Sequence, residues 1–303
     1  MLNHAFLITA HAYFSQLKEI IDLLDAPNHF FFINIDKKSR ADDFVKECKH
    51  KYERVNFLEG NERMEVAHGG YSQIEVTLRL LKFARQQGEI DYFHLISGQD
   101  FPCASNTVFD DFFEIHQGNS YMLYDSQQKR SIWLKKKYPS RVRPYYFCDI
   151  KHREYKLIDF LTRCFNRISR NFWLRKMIPD VYAGWNWFSW HKTVVDFVLN
   201  KEKLEPLYFK RFHHTQCCDE LIFHTLLHPF INELRIIPTN SLRYVNWEKY
   251  AYGRKVKSAP LILNEEEYDD IIQSGAFFCR KIHPDISRKL KEMLTEHIKE
   301  RME

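Results

Sequence analysis

Carboxylates near the middle of the second half of the chain are the first candidates for chemistry. Asp219 and Glu220 lie in HHTQCCDELIFHTLLH (213–228), where a helix is predicted to begin. The dipole of a helix stabilises an ionised carboxylate in its first turn. An ionised carboxylate at the mouth of a binding site is what a general base for a hydroxyl group needs. On composition alone, a simple helix-capping role is the stronger interpretation of either residue.

The same segment contains side chains of the types that bind metals. These are Glu220, His224 and His228 at intervals of four residues, preceded by His213, His214, Cys217 and Cys218. Two histidines at i and i+4 can share a zinc ion. The spacing is not HExxH, however, and adjacent cysteines rarely both bind one ion, so helix packing is favoured over a zinc site.

Other charged residues suit the binding of a nucleotide. Asp36 and Asp100 each follow an apolar strand, where a carboxylate can accept hydrogen bonds from a uracil N–H or a ribose hydroxyl, although such residues are as often turn formers. Arg280 and Lys281 follow Gly275, and paired cations can neutralise a diphosphate where no metal does. The first half of the chain has no Asp-x-Asp sequence to hold Mg²⁺ or Mn²⁺.

The elements that must position these residues alternate between strands and helices. AFLITAH (5–11) and FFFINID (30–36) are apolar strands that end in Thr9, His11 and Asp36, and the segment between them has the apolar stripe of a helix. A later helix begins after Gly69-Gly70, where Ser72 and Glu75 predict a capping box. Because open α/β sheets bind ligands at the carboxyl ends of their strands, we predict the site at that edge.

Composition narrows the class of protein. The 303 residues are 45% hydrophobic, with a net charge of +5 and seven cysteines. We predict one domain and no nucleic-acid partner, since no basic stripe accompanies a known motif. No Ser-His-Asp order, nucleophile elbow, Walker loop or GxGxxG sequence is present, which argues against hydrolases, NTPases and dehydrogenases. The absence of a signal sequence or apolar span predicts a cytoplasmic location with reduced thiols.

A basic, aromatic segment interrupts the second half. Residues 155–172 can form a helix with basic residues on one narrow face and apolar residues on another: Lys156, Arg163, Arg167 and Arg170, and Leu157, Leu161, Cys164, Phe165 and Ile168. Such a helix can lie on an anionic bilayer, which would make the protein peripheral on the inner face of a membrane. We favour the alternative, a helix docked on the core with a solvated basic side.

Eight segments in this order resemble the core-2/I-branching enzyme family, glycosyltransferase family 14, which also contains the peptide O-xylosyltransferases. They are AFLITAH, FFFINIDKKS, HGGYSQIEVTLRLL, DYFHLISGQDFP, AGWNWFSWHK, CCDELIFHTLL, LRYVNW and SGAFFCRKI. The resemblance implies a GT-A-like, Rossmann-type mixed sheet flanked by helices. Residues 1–105 would then form the nucleotide-sugar-binding half, and residues 106–303 the acceptor-binding and catalytic half.

The resemblance also implies an inverting transferase that takes a UDP-sugar donor, needs no cofactor and has no obligatory metal. The uridine contacts match Thr9, His11 and Asp36, and the catalytic base matches Glu220. Lys281 matches the diphosphate contact and Trp247 an acceptor contact; Arg280 is a further diphosphate candidate. The family's second basic contact falls on Ser258, with Lys257 beside it as a substitute.

The residues leave the substrates and the activity itself open. The basic residues Lys135, Lys136 and Lys137 are acceptor-binding candidates. GlcNAc and xylose are the donor sugars that the resemblance implies, and the acceptor is a glycan, a lipid-linked saccharide or a peptide hydroxyl. Two rival interpretations are a non-catalytic module that binds a sugar nucleotide or glycan, and a zinc-dependent hydrolase built on Glu220, His224 and His228.

Overall fold

The first two strands are parallel neighbours joined by a helix, as the sequence predicts. This computed structural model describes residues 1–127, 129–130, 141–142, 144–149, 155–168, 180–247, 250–251, 254–255 and 260–300. Strand β1 (His4–Ala10) pairs with β2 (His29–Ile35), and α1 (Phe14–Leu24) connects them. Helix α1 buries Leu17, Ile20, Ile21 and Leu24, the stripe of the sequence pattern. Ala10 pairs with Ile35, so both strands end at one edge.

Two more strands and two helices complete the parallel part of the sheet. They are α2 (Asp42–Lys51) with β3 (Val55–Phe57), then α3 (Ser72–Gln86), then β4 (Tyr92–Ser97). Strands β2 and β4 flank β1, and β3 pairs with β2. The carboxyl ends of these four parallel strands therefore face the same side of the molecule.

The second half of the chain extends the same sheet. Its elements are β5 (Asp100–Pro102), α4 (Asn106–Ile115), β6 (Ser120–Tyr124), α5 (Tyr155–Ile168), β7 (Gly184–His191), α6 (Lys192–Leu204), α7 (Pro206–Lys210), α8 (Ile222–Leu227) and β8 (Ile236–Ile237). Strand β7 pairs antiparallel with β4, so the order is β3-β2-β1-β4-β7-β6-β8. This seven-stranded mixed sheet flanked by helices confirms the predicted α/β class.

A small second sheet brings the last part of the chain next to the segment that follows β4. It contains β5, β9 (Arg243–Val245) and β12 (Phe278–Arg280), with β12 in the centre. The remaining elements are β10 (Tyr250–Ala251), β11 (Arg254–Lys255), α9 (Tyr268–Gln273) and α10 (Arg288–Glu300). Arg280 pairs in register with Asp100, just beyond the end of β4.

The start of α3 differs from the predicted capping box. Glu75 forms an ion pair with Arg79 at 2.8 Å and does not reach back to the helix start. The carboxylate of Asp149 instead accepts hydrogen bonds from the backbone N–H groups of Tyr71 and Ser72 at 2.9 and 3.1 Å. A residue distant in sequence thus satisfies the free N–H groups of this helix.

Helix α5 contradicts the favoured interpretation of the basic segment, of which residues 169–172 lie outside the described chain. Its large apolar side chains are 47% to 82% exposed: Leu157, Phe160, Leu161, Phe165 and Ile168. One flank touches the rest of the described chain: Thr162 is buried, Asn166 bonds the backbone of Tyr145, and the Phe165 ring lies 5.2 Å from the Tyr145 ring. Among the described helices, none combines the length and apolar character that crossing a bilayer requires.

Candidate active site

The three predicted uridine contacts lie at the carboxyl ends of β1 and β2. Asp36 is buried, and its two carboxylate oxygens accept hydrogen bonds from the backbone N–H groups of Lys38 and Val66 at 2.9 and 3.0 Å. Thr9 is partly buried and His11 is exposed. Asp36 is thus held rigidly, and each oxygen retains a lone pair for a ligand.

Lys281 reaches the same edge from the other end of the sequence. The side-chain amide of Gln16 donates to the carbonyl oxygens of Gly98 and Ile282, at 2.8 and 3.5 Å. The ring of Tyr13 lies 5.2 Å from that of His283. Helix α1, the turn after β4 and the segment after β12 therefore meet around Lys281.

The ammonium group of Lys281 is available for a ligand. Within the described part of the chain it forms no ion pair. Burial, together with the neighbouring Arg280 cation, lowers the pKa of Lys281. A partly desolvated cation without a counterion is suited to receive an anionic group.

Arg280 has a different environment from its neighbour. It is buried, its guanidinium lies 3.3 Å from the Asp100 carboxylate, and it stacks 3.9 Å above the ring of Trp187. Asp100 in turn accepts a hydrogen bond from the backbone N–H of Ser97 at 2.7 Å. These contacts occupy Arg280 and Asp100 within the protein; binding of nucleotide by Arg280 stays a prediction.

Glu220 lies in a short 3-10 helix, Cys218–Glu220, that packs on the glycine turn before α3. The backbone N–H of Cys217 donates to the carbonyl of Gly69 at 2.9 Å, and the left-handed φ of +74° at Gly69 favours a glycine. The Glu220 carboxylate is 40% exposed and forms an ion pair with Arg141 at 2.6 Å. The turn thus presents Glu220 to solvent with one oxygen bound to a cation.

Asp219 points the other way, into the protein. Its Oδ2 accepts hydrogen bonds from the side-chain amides of Asn186 and Gln73 at 3.1 and 3.3 Å. Its Oδ1 is buried without a partner among the described residues. Burial, and next the charge of Glu220, raise the pKa of Asp219 to about 7. Asp219 therefore connects the Glu220 turn to β7 and α3.

The raised pKa of Asp219 predicts a pH-dependent gain in stability for Asp219→Asn. Between the unfolded pKa of about 3.9 and the folded pKa, the folded protein holds a proton that the unfolded chain has lost, so stability falls as pH rises through this window. Asparagine does not ionise. We expect the variant to gain on the order of 2 kcal/mol more, relative to wild type, at about pH 8 than at about pH 5.

Urea unfolding at the two pH values measures this difference. Asp269→Asn, at an exposed aspartate, is the matched control and should show an equal effect at both. A pH-independent difference between Asp219→Asn and wild type would contradict the raised pKa.

Two tryptophans, one on β7 and one after β9, form an aromatic surface. Trp247 is 49% exposed, and its ring lies 6.2 Å from that of Trp185. Side chains alternate along a strand, so Trp185 and Trp187 share one face of β7 while Asn186 faces Asp219 on the other. Trp190, in contrast, is fully buried and stacks on Phe188, so it belongs to the core.

The zinc cluster suggested by the second-half motif is not assembled. His224 is buried with its Nε2 3.1 Å from the carbonyl oxygen of Leu123, and the ring of His228 stacks on Tyr182 at 3.3 Å. Glu220 is bound to Arg141. Within the described chain, Glu220, His224 and His228 do not form a group that could hold a metal ion. The described structure therefore does not support a zinc-dependent hydrolase built on these three residues.

Some predicted residues lie outside the described residues, and some contacts were not predicted. Lys135, Lys136, Lys137 and Lys257 belong to the first group. The second contains Arg141 and Asp149. No local sequence pattern identifies these two residues, because each contacts a residue more than seventy positions away in the sequence.

The geometry defines an α/β protein in which a partly exposed carboxylate, Glu220, and a lysine that makes no ion pair within the described ranges, Lys281, lie beside the carboxyl ends of parallel strands. The profile of the Core-2/I-Branching enzyme family matches residues 4–272. The chain belongs to this family, the family of glycosyltransferases that its motifs predict.

Individual relatives are distant. Xylosyltransferase 2 of Rattus norvegicus is 23% identical over 321 residues, covering 98% of this chain and 34% of the relative. Xylosyltransferase sqv-6 of Caenorhabditis briggsae is 22% identical over 287 residues, covering 88% of this chain and 33% of the relative. The chain thus spans about a third of the length of the curated relatives it matches. The crystal structure of S. aureus TarS 1-349 in complex with UDP aligns with a TM-score of 0.30 at 15% identity, over 41% of this chain and 36% of that chain.

Proposed function

We propose that this protein is an inverting glycosyltransferase that moves GlcNAc or xylose from a UDP-sugar to a hydroxyl group of an acceptor, without a divalent metal. Family membership supports the class of reaction. The observation that carries the proposal is the position of Lys281, which forms no ion pair with the described residues and lies at the strand edge that also holds Asp36. A departing nucleoside diphosphate needs positive charge at that place.

In the proposed reaction the donor lies across the strand ends, with its uracil near Asp36 and its diphosphate at Lys281. Glu220 removes the proton of the acceptor hydroxyl as its oxygen attacks the anomeric carbon. The bond from that carbon to the UDP oxygen breaks in the same displacement, and the electron pair leaves with UDP. Trp247 and Trp185 offer a stacking surface for the acceptor sugar.

Arg141 forms an ion pair with the proposed base, Glu220. The Arg141–Glu220 ion pair at 2.6 Å occupies one carboxylate oxygen, Oε2, while the side chain stays 40% exposed. The acceptor hydroxyl would approach the other carboxylate oxygen, because a general base must lie within hydrogen-bond reach of the proton it takes.

A panel of UDP-sugars, scored for UDP release in EDTA with and without mixed glycans, lipid-linked saccharides and peptides, tests the proposal. We expect acceptor-dependent release of UDP from one donor. Binding of UDP without any release would indicate a non-catalytic module. Release only after manganese is added would reject the metal-free mechanism.

We also propose a peripheral contact with a membrane through helix α5. A soluble helix buries its apolar face, whereas α5 exposes most of it and docks through one flank that contains Thr162, Phe165 and Asn166. Arg163 and Arg167 lie along one flank of the apolar strip, where they can meet anionic lipid headgroups. With this contact we propose a cytoplasmic location, peripheral on the inner face of a membrane.

Replacing Leu161 by Ser is expected to weaken binding to phosphatidylserine-containing vesicles about tenfold, because burial of one leucine contributes about 1.5–3 kcal/mol. Co-sedimentation measures the binding. Leu207→Ser, which alters an exposed leucine on α7, should bind like wild type. Equal binding of both variants, or the absence of wild-type binding, would refute the contact.

A further inference from the structure

A cluster of imidazole and carboxylate groups lies at the opposite edge of the sheet from the candidate active site. His4 and His29 are the first residues of the neighbouring strands β1 and β2, and Asp110 belongs to α4. Their ligand atoms all lie within 4.8 Å of one another. We propose that these three residues bind a divalent transition metal ion, with zinc as the best match.

His29 shows why a cation belongs between these groups. Its Nδ1 lies 2.7 Å from the carbonyl oxygen of Leu24, which only accepts, so Nδ1 carries the proton. Its Nε2 then faces Asp110 Oδ1 at 2.8 Å. A lone pair and a carboxylate oxygen repel each other at this distance unless a second proton or a metal ion lies between them. Histidines that bind metals typically donate their other N–H to a carbonyl, as His29 does.

His4 distinguishes between a proton and a metal ion. Its Nε2 is buried, has no hydrogen-bond partner among the described residues and lies 3.6 Å from the same Asp110 oxygen. A second proton on His29 would satisfy Asp110 but leave this nitrogen without a close partner. The two nitrogens lie 2.8 and 3.6 Å from the Asp110 oxygen. Bonds of about 2.0–2.2 Å in a tetrahedral site place ligand atoms a little over 3 Å apart, between these two values, so small side-chain movements would let one metal ion bind all three atoms.

An outer layer of hydrogen bonds fixes the orientation of the His4 ring. Its Nδ1 lies 3.0 Å from His94 Nε2, and His94 Nδ1 lies 2.9 Å from Ser189 Oγ, which also accepts from Arg243 at 2.9 Å. With a metal on His4 Nε2, His4 donates to His94, and His94 donates to Ser189. Without one, the chain can reverse and place a proton on His4 Nε2, so the two states differ in defined proton positions.

The donor set selects the kind of ion. Two imidazole nitrogens and one carboxylate oxygen suit zinc better than magnesium or calcium, which prefer oxygen ligands only. The Asp110 side chain is 20% exposed, so a water molecule can complete four-coordination from that side. The ion would connect β1, β2 and α4 and lies away from Glu220 and Lys281, so its role is structural.

The test measures zinc in the folded, full-length chain. The chelator-treated wild-type protein, reloaded with zinc and desalted, should retain one zinc per chain by elemental analysis and should unfold at a higher temperature than the metal-free protein. Asp110→Asn and His29→Gln should each weaken zinc binding at least about tenfold, since even outer-layer changes cost 10–100-fold. His228→Gln, in the unassembled second-half cluster, is the matched control and should bind zinc as wild type does.

Imidazole ¹⁵N NMR of the wild-type protein needs no variant and distinguishes a second proton on His29 from a bound zinc ion. Unprotonated Nε2 atoms of His4 and His29 whose resonances shift when zinc is added would support the site. A doubly protonated His29 that is unchanged in the presence of zinc, or equal zinc content in wild type and Asp110→Asn, would overturn it. Because the readouts are zinc content and proton positions, the result is independent of whether transfer occurs in EDTA.

Discussion

Replacing Glu220 by Gln is expected to reduce sugar transfer by about 10²–10⁴-fold, the contribution that a positioned general base makes. Glutamine keeps the size of the side chain but cannot take the proton of the acceptor hydroxyl. UDP should bind with unchanged affinity, because the predicted uridine and diphosphate contacts lie on β1, β2 and the segment after β12. Transfer rates and calorimetric binding of UDP measure the two effects separately.

Glu205→Gln provides the matched control, since Glu205 is an exposed glutamate in an ion pair with Lys201. It should transfer sugar at the wild-type rate. Turnover of Glu220→Gln near that of wild type would reject Glu220 as the base. A loss of transfer accompanied by loss of UDP binding would indicate that the change disturbs the Asp219 contacts beneath the turn.

The parallel part of the fold was predictable because its signals are local. The apolar runs of β1 and β2, the stripe of α1 and the break at Pro27 are each encoded within a few residues. Ligand residues at the ends of such strands follow from chain direction alone. The positions of Thr9, His11 and Asp36 at one edge therefore agree with the expectation.

Contacts between distant segments could not be predicted in the same way. The Ser72–Glu75 pattern fits a capping box, but Asp149 satisfies the helix start, and its position depends on how a later segment folds back. Similarly, i+4 spacing places His224 and His228 near each other on the chain, yet His224 is turned into the core. Local spacing describes which residues share a face, not what that face meets.

In the basic segment 155–172, too, the sequence predicts the helix but not which of its faces is covered. Its periodicity correctly predicts a helix, and the described part extends over Tyr155–Ile168. Which face is covered depends on the surface available for docking. Here Asn166 meets the backbone of Tyr145, so the apolar face remains outside. The candidate metal ligands His4, His29 and Asp110 likewise have no sequence signature, because three elements bring them together.

Replacing Lys281 by Met is expected to reduce transfer by about 10²–10³-fold, the effect of removing one group that stabilises a developing negative charge. Methionine preserves most of the apolar stem and removes the cation that we propose faces the departing UDP. Lys289→Met, at an exposed lysine on α10, is the matched control and should leave transfer unchanged. Near-wild-type transfer by Lys281→Met, or a requirement for manganese in the wild type, would contradict the assigned role.

The pH dependence of transfer gives an independent measure of the same cation. Because burial and the adjacent Arg280 lower the pKa of Lys281, its positive charge is complete below that pKa and is lost as pH rises through it. Transfer by the wild type should therefore fall on the alkaline side at a pH below the ordinary lysine value of about 10.4. In Lys281→Arg the guanidinium stays charged throughout, so whatever activity this variant retains should not fall over that range. An identical alkaline limb in both proteins would assign the titration to another group and remove the electrostatic argument for a metal-free leaving-group site.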